Sequence, residues 1–214
     1  MPQDPLSTQL NRYLDSLVPP RPAEMQAMEE HAARTGFPIV GPASGQFIYL
    51  LARLIGARRV FEMGSGYGYS TAWLARAVKE NGGGLVYHVV WSSDLSQRAR
   101  RHHAALGLDD VVEYKVTEAV RALRETDGPF DIIFNDIDKD AYPNALPVIK
   151  EKLRPGGLMI ADNMLWHGRI FDPRNQSEDT RGVRDLTRRI TTDPDWIVSL
   201  APIRDGLLIA YKKG

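Results

Sequence analysis

The stretch Arg59-Val60-Phe61-Glu62-Met63-Gly64-Ser65-Gly66-Tyr67-Gly68-Tyr69-Ser70 decides how the rest of the chain is read. A short apolar run that ends in glycines predicts a buried strand entering a tight turn, and Ser70–Val78 follows with a helical pattern. Glycine lets the chain turn sharply and lets a ligand approach the backbone. The helix behind it offers unpaired N–H groups suited to a carboxylate or phosphate. The spacing Gly-x-Gly-x-Gly falls one residue short of the dinucleotide fingerprint, and the next strand ends in Val89-Val90-Trp91 with no carboxylate until Asp94. A nicotinamide dinucleotide is therefore disfavoured.

Outward from that turn, strands and helices alternate. Leu85–Trp91, Val111–Val116, Phe130–Asp136 and Leu158–Ala161 read as strands. Between them, Ser96–Leu106, Glu118–Arg124 and Tyr142–Leu153 read as helices, the last ended by Pro155-Gly156-Gly157. Upstream, Phe47, Leu50, Leu51 and Leu54 mark a helix closed by Gly56, and residues 1–40 hold one or two short helices around Pro19-Pro20-Arg21-Pro22. This alternation predicts an α/β fold with a mostly parallel sheet covered by helices on both faces. After a helix over 178–191, Trp196–Leu200 and Leu207–Lys212 predict an antiparallel hairpin at the sheet edge. Ligands of such sheets bind beyond the carboxyl ends of the strands.

A chain of 214 residues with 43% hydrophobic and 25% charged residues is the size and composition of one ordinary globular domain. It has no cysteine, which excludes disulfides, thiolate metal sites and a cysteine nucleophile. Lys+Arg and Asp+Glu both number 27, so no overall positive field draws long nucleic acids. Met1–Thr8 lacks the apolar core of a secretory signal, and no apolar run spans a bilayer, so a cytoplasmic location is the expectation.

Two strand ends carry the remaining chemistry. One reads Asn135-Asp136-Ile137-Asp138-Lys139-Asp140-Ala141-Tyr142, the other Ala161-Asp162-Asn163. If the two strands are neighbours, Asp136, Asp162 and Asn163 meet at one edge of the sheet. Two carboxylates and an amide oxygen make a hard partial shell that suits Mg²⁺ better than zinc or copper.

With these motifs together, the chain resembles the cation-dependent, S-adenosylmethionine-dependent O-methyltransferases of the catechol and caffeoyl-CoA type. The resemblance covers about residues 38–212. It rests on Val40–Gln46, Glu62–Ser70, Asp136–Tyr142, Asp162-Asn163-Met164-Leu165-Trp166-His167-Gly168 and Asp205-Gly206-Leu207. It implies a Rossmann-like methyltransferase domain over 1–214, with 1–40 a helical cap that covers the site or mediates dimerisation. It also implies that Asp136, Asp162 and Asn163 hold Mg²⁺ or another divalent cation. Lys139 would be the base, its pKa lowered beside the metal. The cofactor would meet Val40, Glu62, Gly64 and Ser70, the turn residues Ser65, Gly66 and Tyr67, and also Asp138. Trp166 would wall a flat, hydroxylated small-molecule acceptor, with His167 a further contact.

Two positions depart from the family pattern. Val90 stands where an acid usually grips the cofactor's ribose, and Thr117 where glycine is common. Asp94 either reaches back to the ribose or caps its helix. Val90 and Thr117 also leave open a binding protein that has lost turnover. A hydroxyuridine in tRNA is the rival acceptor, with Arg98, Arg100, Arg101, His102 and His103 on one helix and Arg181, Arg184, Arg188 and Arg189 on another as its phosphate contacts. Zero net charge favours reading those helices as solvated faces. His88, inside a strand, is read as a satisfied core residue.

Overall fold

The computed structural model describes residues 5–214. Three helices lead: α1 (Pro5–Ser16), α2 (Ala23–Thr35) and α3 (Gly41–Leu54). Then come β1 (Arg59–Met63), α4 (Tyr69–Glu80), β2 (Leu85–Val90), α5 (Ser93–Ala105), β3 (Val112–Val116), α6 (Ala119–Glu125) and β4 (Phe130–Asn135). The chain closes with α7 (Tyr142–Lys152), β5 (Leu153–Ala161), α8 (Glu178–Thr192), β6 (Trp196–Ala201) and β7 (Leu207–Lys212). The strands form one seven-stranded sheet in the order β3-β2-β1-β4-β5-β7-β6. The pairs β1–β2, β1–β4, β2–β3 and β4–β5 are parallel, whereas β7 runs antiparallel to both β5 and β6. The expected terminal hairpin is present, with its second strand inserted next to β5.

Side chains alternate across each strand, so neighbouring residues feed two separate cores. Val60, Val86, Ile132, Phe134 and Ile160 face α2, α3 and α4, packing with Met28, Ile48 and Leu74. Phe61, Val89, Ile133 and Met159 face α6, α7 and α8, packing with Leu123, Ile149 and Leu186. Both faces being covered explains why successive residues are apolar inside β1 (Val60-Phe61) and β4 (Ile132-Ile133-Phe134). The order also reverses between β1 and its two neighbours, β2 leading one way and β4 the other. That switch point opens a crevice at the carboxyl edge.

Three local expectations change. The helix before β5 ends at Lys152, and Pro155-Gly156-Gly157 lies within β5, where the register jumps from Phe130↔Leu153 to Ile132↔Leu158. Gly157 belongs there because a Cβ would come within 2.9 Å of the Asp131 carbonyl oxygen. Strand β2 stops at Val90, which leaves Trp91 81% exposed. Helix α5 starts at Ser93, and its cap is the Ser92 hydroxyl accepting from the Leu95 amide, not Asp94.

Candidate functional site

The glycine turn is held from below. The Gly64 and Ser65 amides both donate to the Val89 carbonyl, the Val89 amide donates to Ser65 Oγ at 2.9 Å, and Gly68 donates to Ser65 O. Gly64 has φ 85, and a Cβ there would lie 2.2 Å from the carbonyl oxygen of Asp136. Only glycine permits that approach, and the approach joins the turn after β1 to the acidic segment after β4. Val40, Gly64, Ser65, Gly66, Tyr67 and Ser70 line one cleft together with Asp136. Six of the expected cofactor contacts are thus brought together. Phe37, Pro38, Ile39 and Tyr69 also line it and went unnoticed in the sequence. Phe37–Ile39 lie far from the glycine turn along the chain, in a loop with no motif of its own.

Glu62 lies beneath the turn, fully buried. Burial pushes its carboxyl up to about 7, against the hydrogen bond from Thr71. One of its oxygens accepts from the Thr71 hydroxyl, which also meets His88 Nδ1 at 2.9 Å. The other, Oε1, has no partner among the described residues, and neither has His88 Nε2. His88 is therefore buried but only half satisfied, which corrects the sequence reading. Burial, with His103 and Arg100 nearby, keeps its imidazole neutral. Two other expected cofactor residues stay outside the cleft. Asp94 is exposed on the first turn of α5, and Asp138 is exposed, contributing its backbone carbonyl to the turn Lys139–Ala141.

Parallel pairing of β4 with β5 sets the acidic cluster. The Asp136 amide donates to Met63 O and the Asp162 amide to Asn135 O, so both acids follow directly on adjacent strands. The Tyr142 hydroxyl is shared by the Asn135 and Asp162 carbonyls at 3.0 and 2.9 Å, which ties the two strand ends together. Asp162 is 4% exposed. Burial first, and then the negative charge of Asp136, push its carboxyl up to about 7. Burial likewise raises Asp136, with Lys139 opposing. Asn163 has φ 57, and its amide nitrogen donates to Asp205 Oδ2 at 3.2 Å. That bond commits the nitrogen and leaves Oδ1 as the free end of the side chain. Among the described residues no three His, Cys, Asp or Glu side chains form a metal cluster. Two mutually repelling carboxylates and one oriented amide oxygen suit a hard divalent cation.

Lys139 is buried, with Nζ 2.8 Å from Asp136 Oδ1 and 3.0 Å from the Ile137 carbonyl. Burial works against its charge, but Tyr142 and Asp136 outweigh it and hold the ammonium above the ordinary lysine range. Asp136 thus stabilises the charged form of this lysine. Trp166 lies with its ring centroid 5.9 Å from Lys139 Nζ and stacks on His167 at 5.6 Å. Asp205 accepts from the His167 amide at 2.6 Å, which fixes the loop that presents both rings.

The lysine turn is braced by α8. A Cβ on Gly182 would stand 2.0 Å from the Lys139 carbonyl oxygen. Gly182→Ala therefore shifts this turn, lowering stability by about 1–3 kcal/mol and the activity of the site by more than the unfolded fraction explains. Urea melts read alongside turnover check this; full activity in the folded variant would show the turn to be pliant.

The basic helix faces are largely engaged within the chain. Arg98 meets His31, His102 meets Glu24, and Arg100 lies over Tyr114. Arg184 donates to the Asp172 and Asn175 carbonyls, and Arg188 and Arg189 pair with Asp185.

A glycine turn in the crevice of a doubly wound sheet, packed on a paired-carboxylate edge, forms a cleft suited to a small ligand that carries an anionic group. The comparisons specify it further. The O-methyltransferase family model matches residues 22–213. A catechol O-methyltransferase of Niastella koreensis is 30% identical over 95% of this chain and 96% of its own. Caffeoyl-CoA O-methyltransferase 2 of Populus trichocarpa is 28% identical over 92% and 85%. The crystal structure of an O-methyltransferase from Bacillus cereus, in complex with SAH, superposes with a TM-score of 0.86 at 28% identity, covering 96% of this chain and 97% of that one. The chain belongs to the O-methyltransferase family.

Proposed function

We propose that this O-methyltransferase carries the methyl group of S-adenosylmethionine to a hydroxyl of a small catechol-like or caffeoyl-type acceptor, with Mg²⁺ or a similar divalent cation. The observation that carries the reading is the contact of Gly64 with the Asp136 backbone, which makes the cofactor cleft and the acidic pair one continuous site. The relatives named for catechol and caffeoyl-CoA support the acceptor class, and the SAH-bound neighbour supports the cofactor.

The turn amides and Ser70 would meet the cofactor's carboxylate, and Glu62, whose Oε1 has no partner among the described residues, would receive its ammonium. Asp136, Asp162 and the Asn163 oxygen would hold the cation, which lowers the pKa of a coordinated hydroxyl. With its charge balanced by the cation, Asp136 would no longer favour the ammonium of Lys139, and Nζ, having released a proton to solvent, would take the acceptor's proton. Trp166 excludes water from one side of a flat ring. Because oxyanion and sulfonium neutralise each other as the methyl moves, alignment and dryness dominate the rate.

Calorimetry should show SAH binding to the isolated protein, and SAH should raise its melting temperature. No heat and no thermal shift at millimolar SAH would defeat the cofactor reading. The engaged arginines argue for a small acceptor over tRNA. A steep salt dependence of tRNA binding would reverse that preference. A homodimer belongs to the same proposal, because α1 leaves Leu10 and Tyr13 exposed and Leu17 follows it exposed. Light scattering at micromolar protein decides it. Among the described residues no helix is long and apolar enough to cross a membrane.

A further inference from the structure

Arg204 is a cation beside the acidic pair with no role in the chemistry above. It sits in the turn between β6 and β7 at φ 52, a left-handed conformation that non-glycine residues adopt at a cost. That turn packs on the acidic loop, the Met164 amide donating to Gly206 O and the Leu165 amide to Asp205 O. From there the side chain crosses to the N-terminal segment, where Nη1 donates to the Ile39 carbonyl. Its Cδ and Nε lie so close to Gly41 that a Cβ there would meet them at 3.2 and 3.3 Å. Its charge is felt by both Asp136 and Asp162, lowering each against the effect of burial.

An open groove runs on from the cofactor cleft, sharing Phe37, Pro38 and Ile39 with it, and Arg204 lines that groove. Glu29 is the acid in the groove, and it is taken by Arg21 and the Tyr69 hydroxyl. Asp136 is taken by Lys139. Among the described residues no carboxylate lies within salt-bridge distance of Arg204. A guanidinium with one donor on a carbonyl still presents a planar fork for an anion.

We propose that Arg204 is a specificity-determining residue of the acceptor site, binding the carboxylate of an aromatic acid whose ring carries the reacting hydroxyl. The inference rests on the acceptor reading given above and narrows it to acidic catechols. The position of Arg204 argues for a carboxylate close to the ring. The groove it lines joins the cleft walled by Asp136, whereas an anion on a long tail would be met farther out.

The test uses the full chain saturated with SAH and Mg²⁺, and calorimetric titration with 3,4-dihydroxybenzoate and with catechol. The wild-type protein should bind the acid at least tenfold more tightly than catechol, and Arg204→Gln should bring that ratio to near one. Arg204→Lys, which keeps the charge and loses the fork, should fall between. A ratio near one in the wild type overturns the proposal. So does an equal loss for both ligands in Arg204→Gln, the mark of a purely structural clasp to Ile39. Turnover separates the two readings: selective binding of the acid with no methylated product from either compound keeps the anion site and rejects the catechol reaction.

Discussion

Asp162→Ala abolishes methyl transfer, by on the order of 10³-fold or more, and EDTA does the same to the intact protein. The size follows from removing one of two charged ligands, since a cation's stabilisation of a developing oxyanion is worth several kcal/mol, and about 4 kcal/mol is 10³ in rate. The fold should survive the change. Asp162 is a buried carboxylate pushed up from 3.8 to about 7 by burial and by Asp136, so the native structure resists its ionisation. The unfolded chain releases that proton near pH 4 and the folded one near pH 7, so stability declines as pH rises between those values. Asp162→Asn removes the decline, and at pH 8 should melt no lower than the wild type without bound metal. Activity and stability therefore move in opposite directions. Full turnover in excess chelator, or in Asp162→Asn, would reject the metal role.

Glu62→Gln should separate binding from stability in the same way. Its carboxyl sits fully buried with a folded value of about 7 against an ordinary 4.5. The folded state holds the proton through the window from 4.5 to 7, so stability is lost as pH rises through it and stays lower above it. The gap amounts to about 3 kcal/mol at most. The amide variant should match the wild type more nearly at pH 5 and exceed it at pH 8 in urea melts of the cofactor-free protein. SAH affinity should fall at least tenfold, because the unpartnered Oε1 can no longer offer a charged acceptor to an ammonium. A variant less stable than the wild type at pH 8, or one binding SAH as tightly, would contradict this account of the buried acid.

Much of this arrangement was legible before any coordinates. Period-two and period-3.6 patterning located every strand from β1 to β7 and the helices between them, because the central strands of a sheet covered on both faces carry apolar residues on both. The turn Glu62–Ser70 and the acids at 136 and 162 were legible because glycine and paired carboxylates at strand ends have few structural uses. Other positions resisted. Asp94 was weighed as a helix cap, but a serine two residues earlier offered the better geometry. Phe37–Ile39 and Arg204 carried no pattern at all, since a loop's place over a cleft depends on how distant helices pack.

By itself the sequence determined the order of elements, the doubly wound class and the residue types at each strand end, since backbone preference and apolar periodicity are local properties. The tertiary structure decided which of those residues face one another. Parallel pairing of β4 with β5 put Asp136 beside Asp162, and the bare Cα of Gly64 let the cofactor turn rest on Asp136. The hairpin turn then carried Arg204 across to Ile39, a separation of 165 residues. Charges act through space and not along the chain, so pKa values and acceptor preference follow from those long-range contacts.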